Sequence, residues 1–232
     1  AASFEGVDFL SLRLEGGDPN GLNKSTEELI AIVNEVAAAV DLPLVICGCK
    51  AVEKDAELLD KAAAALEGKN AVILAAKEEN YKTIGASAGL AYKQIVGAES
   101  AVDINLAKQL NVLLSQLGVD GKRIVMNVGA AAAGYGFEYV VSTMDRIKAA
   151  ALQQGDTTLQ MPIITPVASE TWAVKEAVSS EEDTPEWGSQ EERGIDMEIE
   201  TAAAVFASGS NAVILRHPES VKAIKMMIAA LI

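Results

Sequence analysis

The chain has 232 residues, half of them hydrophobic but only 4% aromatic, and its 33 acidic against 19 basic residues give a formal net charge of −14. A chain this negative repels phosphate backbones, which excludes nucleic acid and anionic membrane as natural partners, and it is too apolar for disorder. Two cysteines and one histidine exclude a disulfide scaffold, an iron–sulfur cluster held by this chain alone, and a histidine-rich zinc or iron site.

In chain order, short apolar runs alternate with longer amphipathic ones. Phe9–Glu15 (FLSLRLE) reads as a strand and Ser25–Val40 as a helix. Ser25 and Glu28 fit a capping box, and Leu29, Ile32, Val33 and Val36 recur at helical spacing. Strand Leu42–Gly48 precedes helix Ala56–Leu66, and strand Ala71–Ala75 precedes helix Glu79–Tyr92. Strand Gln94–Ala98 leads to helix Asp103–Leu117, with Gly118 placed for a left-handed C-cap. Strand Arg123–Asn127 precedes helix Tyr135–Gln153, and strand Met161–Thr165 precedes helix Glu170–Val178. Ser179–Asp196 then breaks the alternation: it is acidic and turn-rich, either a solvated loop or a lid or partner surface. Trp187 within it needs somewhere to pack. Helix Glu198–Ala207, strand Ala212–Arg216 and helix Pro218–Leu231 close the chain. No apolar run approaches the ~18 residues of a membrane span. Ala1–Asp8 has no basic region ahead of an apolar one, so no signal peptide is expected and the cytoplasm is the default setting.

Near-continuous apolar runs are how strands buried on both faces of a parallel sheet read. Strict alternation leaves a doubly wound sheet or a closed barrel. No G-x-G-x-x-G turn opens a helix after the first strand, as a dinucleotide fold requires. The expected fold is therefore an α/β TIM (β/α)₈ barrel, one domain over 1–232 with the acidic loop at 179–196. Seven strand–helix units stand against the eight of a barrel. Ala1–Phe4 reads as the tail of a preceding helix, so the expectation is an N-terminally truncated barrel whose first strand lies upstream. Its two open edges invite pairing or association with another chain.

Chemistry in such a barrel sits at the C-terminal ends of the strands. The loop Asn127–Gly136 (NVGAAAAGYG) is the most unusual segment there. Its glycines and alanines let a backbone approach a large flat ligand closely, or the loop merely packs. It lacks the lysine of a phosphate-cradling Walker loop. Cys47 and Cys49 alternate onto one face of an extended chain, as a two-thiol site or as buried structural cysteines. His217 suits acid–base work or simply starts the last helix. No strand core carries a lysine, which argues against Schiff-base chemistry. Asp18, Glu78, Glu79 and Glu99 suit magnesium or remain solvated loop charges.

Longer phrases carry a resemblance. LRLEGGDPNG at Leu12–Gly21, VDLPLVICGC at Val40–Cys49, DINLAKQLNVLL at Asp103–Leu114, GYGFEY at Gly134–Tyr139, QMPIITPV at Gln160–Val167, PEWG at Pro185–Gly188 and ILRHPESVK at Ile214–Lys222 run almost end to end. With them the chain resembles the small, delta-type subunit of the corrinoid iron–sulfur protein of the acetyl-CoA decarbonylase/synthase system. The resemblance implies a barrel related to pterin-binding methyltransferases, paired with a large subunit that carries a [4Fe–4S] cluster and a corrinoid domain. It implies a corrinoid at the interface, facing the barrel mouth. It also implies a methyl group arriving from a methyl-tetrahydropterin through a methyltransferase and leaving for the nickel cluster of acetyl-CoA synthase. Family members usually carry an Asp-Pro phrase where this chain has Asn127-Val128-Gly129. The residues expected at the corrinoid are Asn127, Gly129, Ala130, Gly134, Tyr135 and Gly136, with Arg216 and His217 beside them. Tyr135 either bonds a corrin amide or caps its helix, and Trp187 is the expected partner contact. The chain on this reading is not catalytic alone. The alternative is a pterin-dependent methyltransferase in its own right, with Asn127 reading the pterin but Glu99 standing where a companion aspartate is wanted.

Overall fold

The computed structural model describes residues 1–231. Strands β1 (Leu10–Arg13), β2 (Leu44–Cys47), β3 (Val72–Ala76), β4 (Ile95–Glu99) and β5 (Ile124–Asn127) form one parallel sheet in sequence order. Strands β6 (Ile164–Thr165) and β7 (Ala212–Val213) form a parallel pair. A bridge between Met126 and Ile163, with Met126 N–H donating to the Pro162 carbonyl at 2.8 Å, carries the ladder from β5 to β6. The strands therefore follow one another from β1 round to β7, and among the described residues β7 does not pair with β1.

The helices are α1 (Thr26–Ala39), α2 (Val52–Ala65), α3 (Tyr81–Ile84), α4 (Ile104–Leu117), α5 (Phe137–Gln153), α6 (Ala168–Thr171), α7 (Lys175–Val178), α8 (Gln190–Ala207) and α9 (Pro218–Leu231). Among the described residues no helix is long and apolar enough to cross a membrane. Alternate strand residues face two cores, as the period of two demands. Phe9, Val45, Val72, Val125, Ile164 and Ile214 meet inside the ring. Leu12, Ile46, Ile73, Val96 and Ile124 face the helices. The outer core is aliphatic and rich in alanine, in keeping with the composition.

Local signals set several boundaries. Ser25 and Glu28 make the reciprocal capping box, and Gly118 ends α4 at φ +102°. The segment expected as one helix over Glu79–Tyr92 forms only α3 and then a π-type turn, Gly85–Ala91. Gly85 and Gly89 are the reason: a Cβ would lie 2.9 Å from Leu114 Cδ2 and 2.7 Å from Val119 Cγ2 respectively. Close packing on α4 and its following turn decides this backbone, and glycine gives the α-helix no propensity to resist. The helix expected over Glu170–Val178 is two single turns, α6 and α7. The acidic stretch is shorter as a loop than 179–196, because Ser189 caps α8 and Glu191 and Glu192 occupy its first turn.

Inside the ring, space is the limit. Gly97 lies against Leu74, and a Cβ there would stand 2.0 Å from Leu74 Cδ2 and 3.2 Å from the Ile73 carbonyl. Gly97→Ala is expected to destabilise the fold by about 1–3 kcal/mol through overpacking. Adding Leu74→Ala should recover part of that loss, read by urea titration of both variants. Equal stability of Gly97→Ala and the parent would refute the packing argument.

Candidate functional site

The strand ends surround a pocket of about 370 Å³ lined in part by Arg13, Cys47, Lys77, Glu99, Asn127 and Gly129. Lys77 follows β3 directly, and its Nζ lies 3.1 Å from Glu99 Oε1. Asn127 Nδ2 donates to Glu99 Oε2 at 3.2 Å, and Asn127 Oδ1 accepts the Gly129 N–H at 3.1 Å. A continuous polar chain thus links the ends of β3, β4 and β5. Lys77 and Glu99 side chains are 27% and 29% exposed, so solvent screens their attraction to at most about 1 kcal/mol.

The rim beside Asn127 is backbone and small side chains. Gly129 has φ +91°, and the neighbouring Ala101 and Val102 also have positive φ, at +44° and +59°. For a β-branched residue that conformation is costly, on the order of 1–3 kcal/mol. It is held by Val102 N–H on the Val128 carbonyl at 2.8 Å and by Thr143 Oγ1, which donates to the Val102 carbonyl at 3.0 Å.

The opposite wall, Gly48–Lys50, hangs on Asp55. This buried carboxylate accepts the N–H groups of Cys49 at 2.6 Å and Lys50 at 3.1 Å. A Cβ on Gly48 would stand 2.4 Å from Asp55 Oδ1, so the turn must be glycine. The two cysteines do not share a face. Strand β2 ends at Cys47, whose Sγ lies 3.4 Å from Ser11 Oγ at the pocket, while Cys49 turns into the core against Gly17. Burial pushes both thiols up, so both stay protonated. Among the described residues no group of three or more His, Cys, Asp or Glu is placed to hold a metal ion.

The residues expected from the sequence fall in three places. Asn127, Gly129 and Ala130 line the mouth pocket. Beyond them the loop turns outward: Ala133 N–H donates to Thr201 Oγ1 at 3.1 Å, and Gly134 lines a separate shallow groove with Phe137 and Val141. Tyr135 is 48% exposed and its hydroxyl donates to Glu176 at 2.7 Å, while Gly136, at φ +81°, precedes α5 as its N-cap. Arg216 and His217 stand at the end of β7. Their N–H groups are bound by the two oxygens of Glu198, fully buried, at 2.7 and 3.1 Å. The Arg216 guanidinium lies 5.0 Å from the Trp172 ring, and the His217 ring stacks on the same indole at 5.9 Å. His217 Nε2 meets Glu191 at 3.1 Å and Nδ1 accepts the Glu219 N–H, so both ring nitrogens are engaged.

Trp187 sits in the acidic loop between Lys175, 5.0 Å from its ring, and Arg193, at 5.8 Å. Arg193 binds the carbonyls of Glu176, Ser179 and Gly188, which makes the loop a fixed strap. Asp55 and Glu198 escaped the sequence reading. The signal was present: each is an acid on an otherwise apolar helix face, near Leu58 and Leu59 or near Ala202 and Val205, and a carboxylate there needs backbone donors.

The family model for the CO dehydrogenase/acetyl-CoA synthase delta subunit matches residues 3–228. The chain is 34% identical over 228 residues to the acetyl-CoA decarbonylase/synthase complex subunit delta 1 of Methanosarcina thermophila, covering 95% of this chain and 51% of that one. Against the delta subunit of the same complex from Archaeoglobus fulgidus, identity is 34% over 227 residues, covering 95% and 49%. The chain thus spans about half the length of the curated relatives it matches. Among solved structures it is similar to Yersinia pestis dihydropteroate synthase with a pterine–sulfa conjugate, at TM-score 0.64 and 11% identity over 97% of this chain and 83% of the other. Xanthomonas albilineans dihydropteroate synthase in complex with 7,8-dihydropteroate gives TM-score 0.55 and 14% identity, over 98% and 80%. At these identities the likeness establishes the fold, an α/β TIM barrel.

The Tyr135–Glu176 contact fastens the mouth loop to α7. The Tyr135 hydroxyl holds the Glu176 carboxyl below its ordinary value of 4.5, and Glu176 holds the phenol above its ordinary value of 10.0. The contact therefore contributes fully above pH 4.5 and below pH 10.0. It is lost as pH falls through the lowered carboxyl value or rises through the raised phenol value. Tyr135→Phe should move the Glu176 titration, followed by carboxyl NMR, up toward its ordinary value. An unmoved titration would mean that the hydrogen bond is not what lowers it.

Proposed function

The chain belongs to the CO dehydrogenase/acetyl-CoA synthase delta subunit family, and from that premise we propose that it is the barrel partner of a corrinoid methyl carrier in the acetyl-CoA decarbonylase/synthase complex. Its partner is a large corrinoid and iron–sulfur subunit. A methyl-tetrahydropterin methyltransferase and acetyl-CoA synthase are the other proteins it serves.

The observation that carries this reading is the mouth. A pocket of about 370 Å³ admits a ring-sized group but not a whole corrin, so the macrocycle would lie across the rim. The rim fits a flat face: Ala101, Gly129 and Ala130 bring backbone close with little side chain in the way. Asn127 and Glu99, joined to each other, offer polar edges to the amide side chains of the ring. When bound, the corrinoid supplies a cobalt centre that accepts a methyl group and hands it on. This chain's residues hold the ring, exclude water from one face and donate no strong ligand. Cys47 is the nearest soft donor, and burial keeps its thiol protonated. On this reading Trp187 on the strap and Tyr135, half exposed on the outward-turned loop, would meet the partner chain rather than the ring.

A second reading rests on one observation, the acid–amide pair Glu99–Asn127 on adjacent strand ends. Such a pair can bind a pterin's amino and ring N–H groups, which would make the barrel a methyltransferase itself.

An anaerobic pull-down with a corrinoid-loaded large subunit separates the two. A stoichiometric pair with a corrinoid spectrum is expected, and Gly129→Val should weaken corrinoid retention by about tenfold, ~1.4 kcal/mol. Retention unchanged in that variant, or no pair at all, would overturn the mouth reading. Binding of methyl-tetrahydropterin by the chain alone, lost in Glu99→Gln, would establish the second.

A further inference from the structure

The mouth pocket is divided by charge. Arg13, Lys50 and Lys77 line it from the ends of β1, β2 and β3, while Glu99, Asn127 and Glu170 line it from β4, β5 and α6. The chain has only 19 basic residues against 33 acidic ones, so three cations along one side of one pocket stand out.

The carboxylates of this wall are already engaged. Asp55 lies behind the Gly48–Lys50 turn with its two oxygens on backbone N–H groups. Glu99 meets Lys77 with one oxygen and Asn127 with the other. Glu170 Oε1 accepts from Ser169 Oγ at 3.2 Å.

Two of the cations are not so engaged. Among the described residues Lys50 has no carboxylate partner. Its backbone is left-handed, at φ +73°, a conformation that a lysine rarely adopts. The Asp55 contact to its N–H holds that conformation at the pocket wall. Arg13 meets only Glu15, whose side chain is 59% exposed, a pairing that solvent screens and that a competing anion displaces at little cost. Arg13 also lines the cavity of about 750 Å³ between β7 and β1. Burial pushes the Cys47 thiol up and the Arg13 charge works against that push, which places the guanidinium near the end of β2.

We propose that Arg13 and Lys50 form an oxyanion subsite. It takes one phosphate or carboxylate of a ligand whose N–H-bearing part lies toward Glu99 and Asn127. Arginine presents a planar fork to two oxygens and lysine adds a movable point charge, a combination suited to either anion. Lys77, held by Glu99, marks the boundary between the two halves. The division of charge also orients the ligand, because reversing it would bring the anion onto Glu99 and Glu170. Which ligand carries the anion rests on the reading of the mouth given above; the subsite itself does not. A corrinoid with its nucleotide loop has one phosphate, and a methyl-tetrahydropterin with an acidic tail has carboxylates.

The test titrates this chain with inorganic phosphate at fixed ionic strength, with chloride as the reference, and follows the Arg13 and Lys50 signals by NMR. Phosphate should give saturating shifts at both residues that chloride does not. Lys50→Gln should weaken the binding at least about tenfold, and Lys50→Arg should retain it. Lys61→Gln, exposed on α2, should leave it unchanged. No saturation, or equal weakening by Lys50→Gln and Lys61→Gln, would overturn the subsite. Cobalamin, which carries a phosphate, should displace the inorganic anion, and cobinamide, which lacks one, should not. Displacement by methyl-tetrahydrofolate and not by cobalamin would uphold the subsite and overturn the corrinoid as the source of its anion. Displacement by neither would overturn its part in ligand binding.

Discussion

A parallel ladder has to dispose of its two outermost edges, and the rest of this molecule is arranged around that requirement. Strand follows strand from β1 to β7, each turning its hydrogen bonds to the next, until the first and last edges face one another. Because the ring curves, its interior narrows, and the fit is tight enough that Gly97 must yield its side chain to Leu74. Because the strands run one way, every strand ends at the same mouth. The pocket at that mouth and the cavity along the seam are two consequences of one topology.

Buried polar side chains that serve the backbone hold the turns and strand ends of the ring. Asp55 fixes the turn after β2, Glu198 fixes the end of β7, and Gln94 ties β3 to the end of α2 by accepting from Ala71 and donating to Ala63 and Leu66. Each is buried, and each would be expensive to leave half satisfied. Their net contribution to stability is modest because they also lose their hydration. What they secure is position: loops that composition alone would leave mobile are held to specific backbone atoms.

The alternation, the barrel and the open seam were readable in the sequence because each follows from periodicity and from the number of strand–helix units. Ser25 with Glu28 and Gly118 marked their boundaries for the same local reason. The failures came where tertiary contact overrode local preference. Gly85 and Gly89 sit in a segment with helical spacing, yet their closeness to Leu114 and Val119 produces a π-type turn. Ser189 caps α8 inside a run whose acidity and turn residues read as a loop. At the site, Asn127, Gly129 and Ala130 reached the mouth because they end a strand, whereas Tyr135 and Gly136 lie past the point where the loop turns outward. Glu99 reads from sequence as a magnesium candidate or as the companion of Asn127, and its ion pair with Lys77 is not legible there, since nothing local says that adjacent strand ends will join them.

The chemistry of the mouth bears on which of its two readings is the stronger. A catalytic site usually keeps a group poised to react, with its charge state shifted toward the task. Here the shift runs toward inertness: burial holds the Cys47 thiol in its neutral, protonated form. Glu99, Lys77 and Asn127 are occupied with one another, and His217 is held behind Trp172 by contacts to both ring nitrogens. A pterin read by Glu99 and Asn127 would have to share acceptors already engaged by Lys77 and by their mutual hydrogen bond. A flat ring laid over Gly129 and Ala130 needs no such exchange, because it takes up backbone and methyl surface that is already turned outward. The mouth is therefore better suited, on the reading proposed above, to lying against a ligand's flat face than to reacting with it.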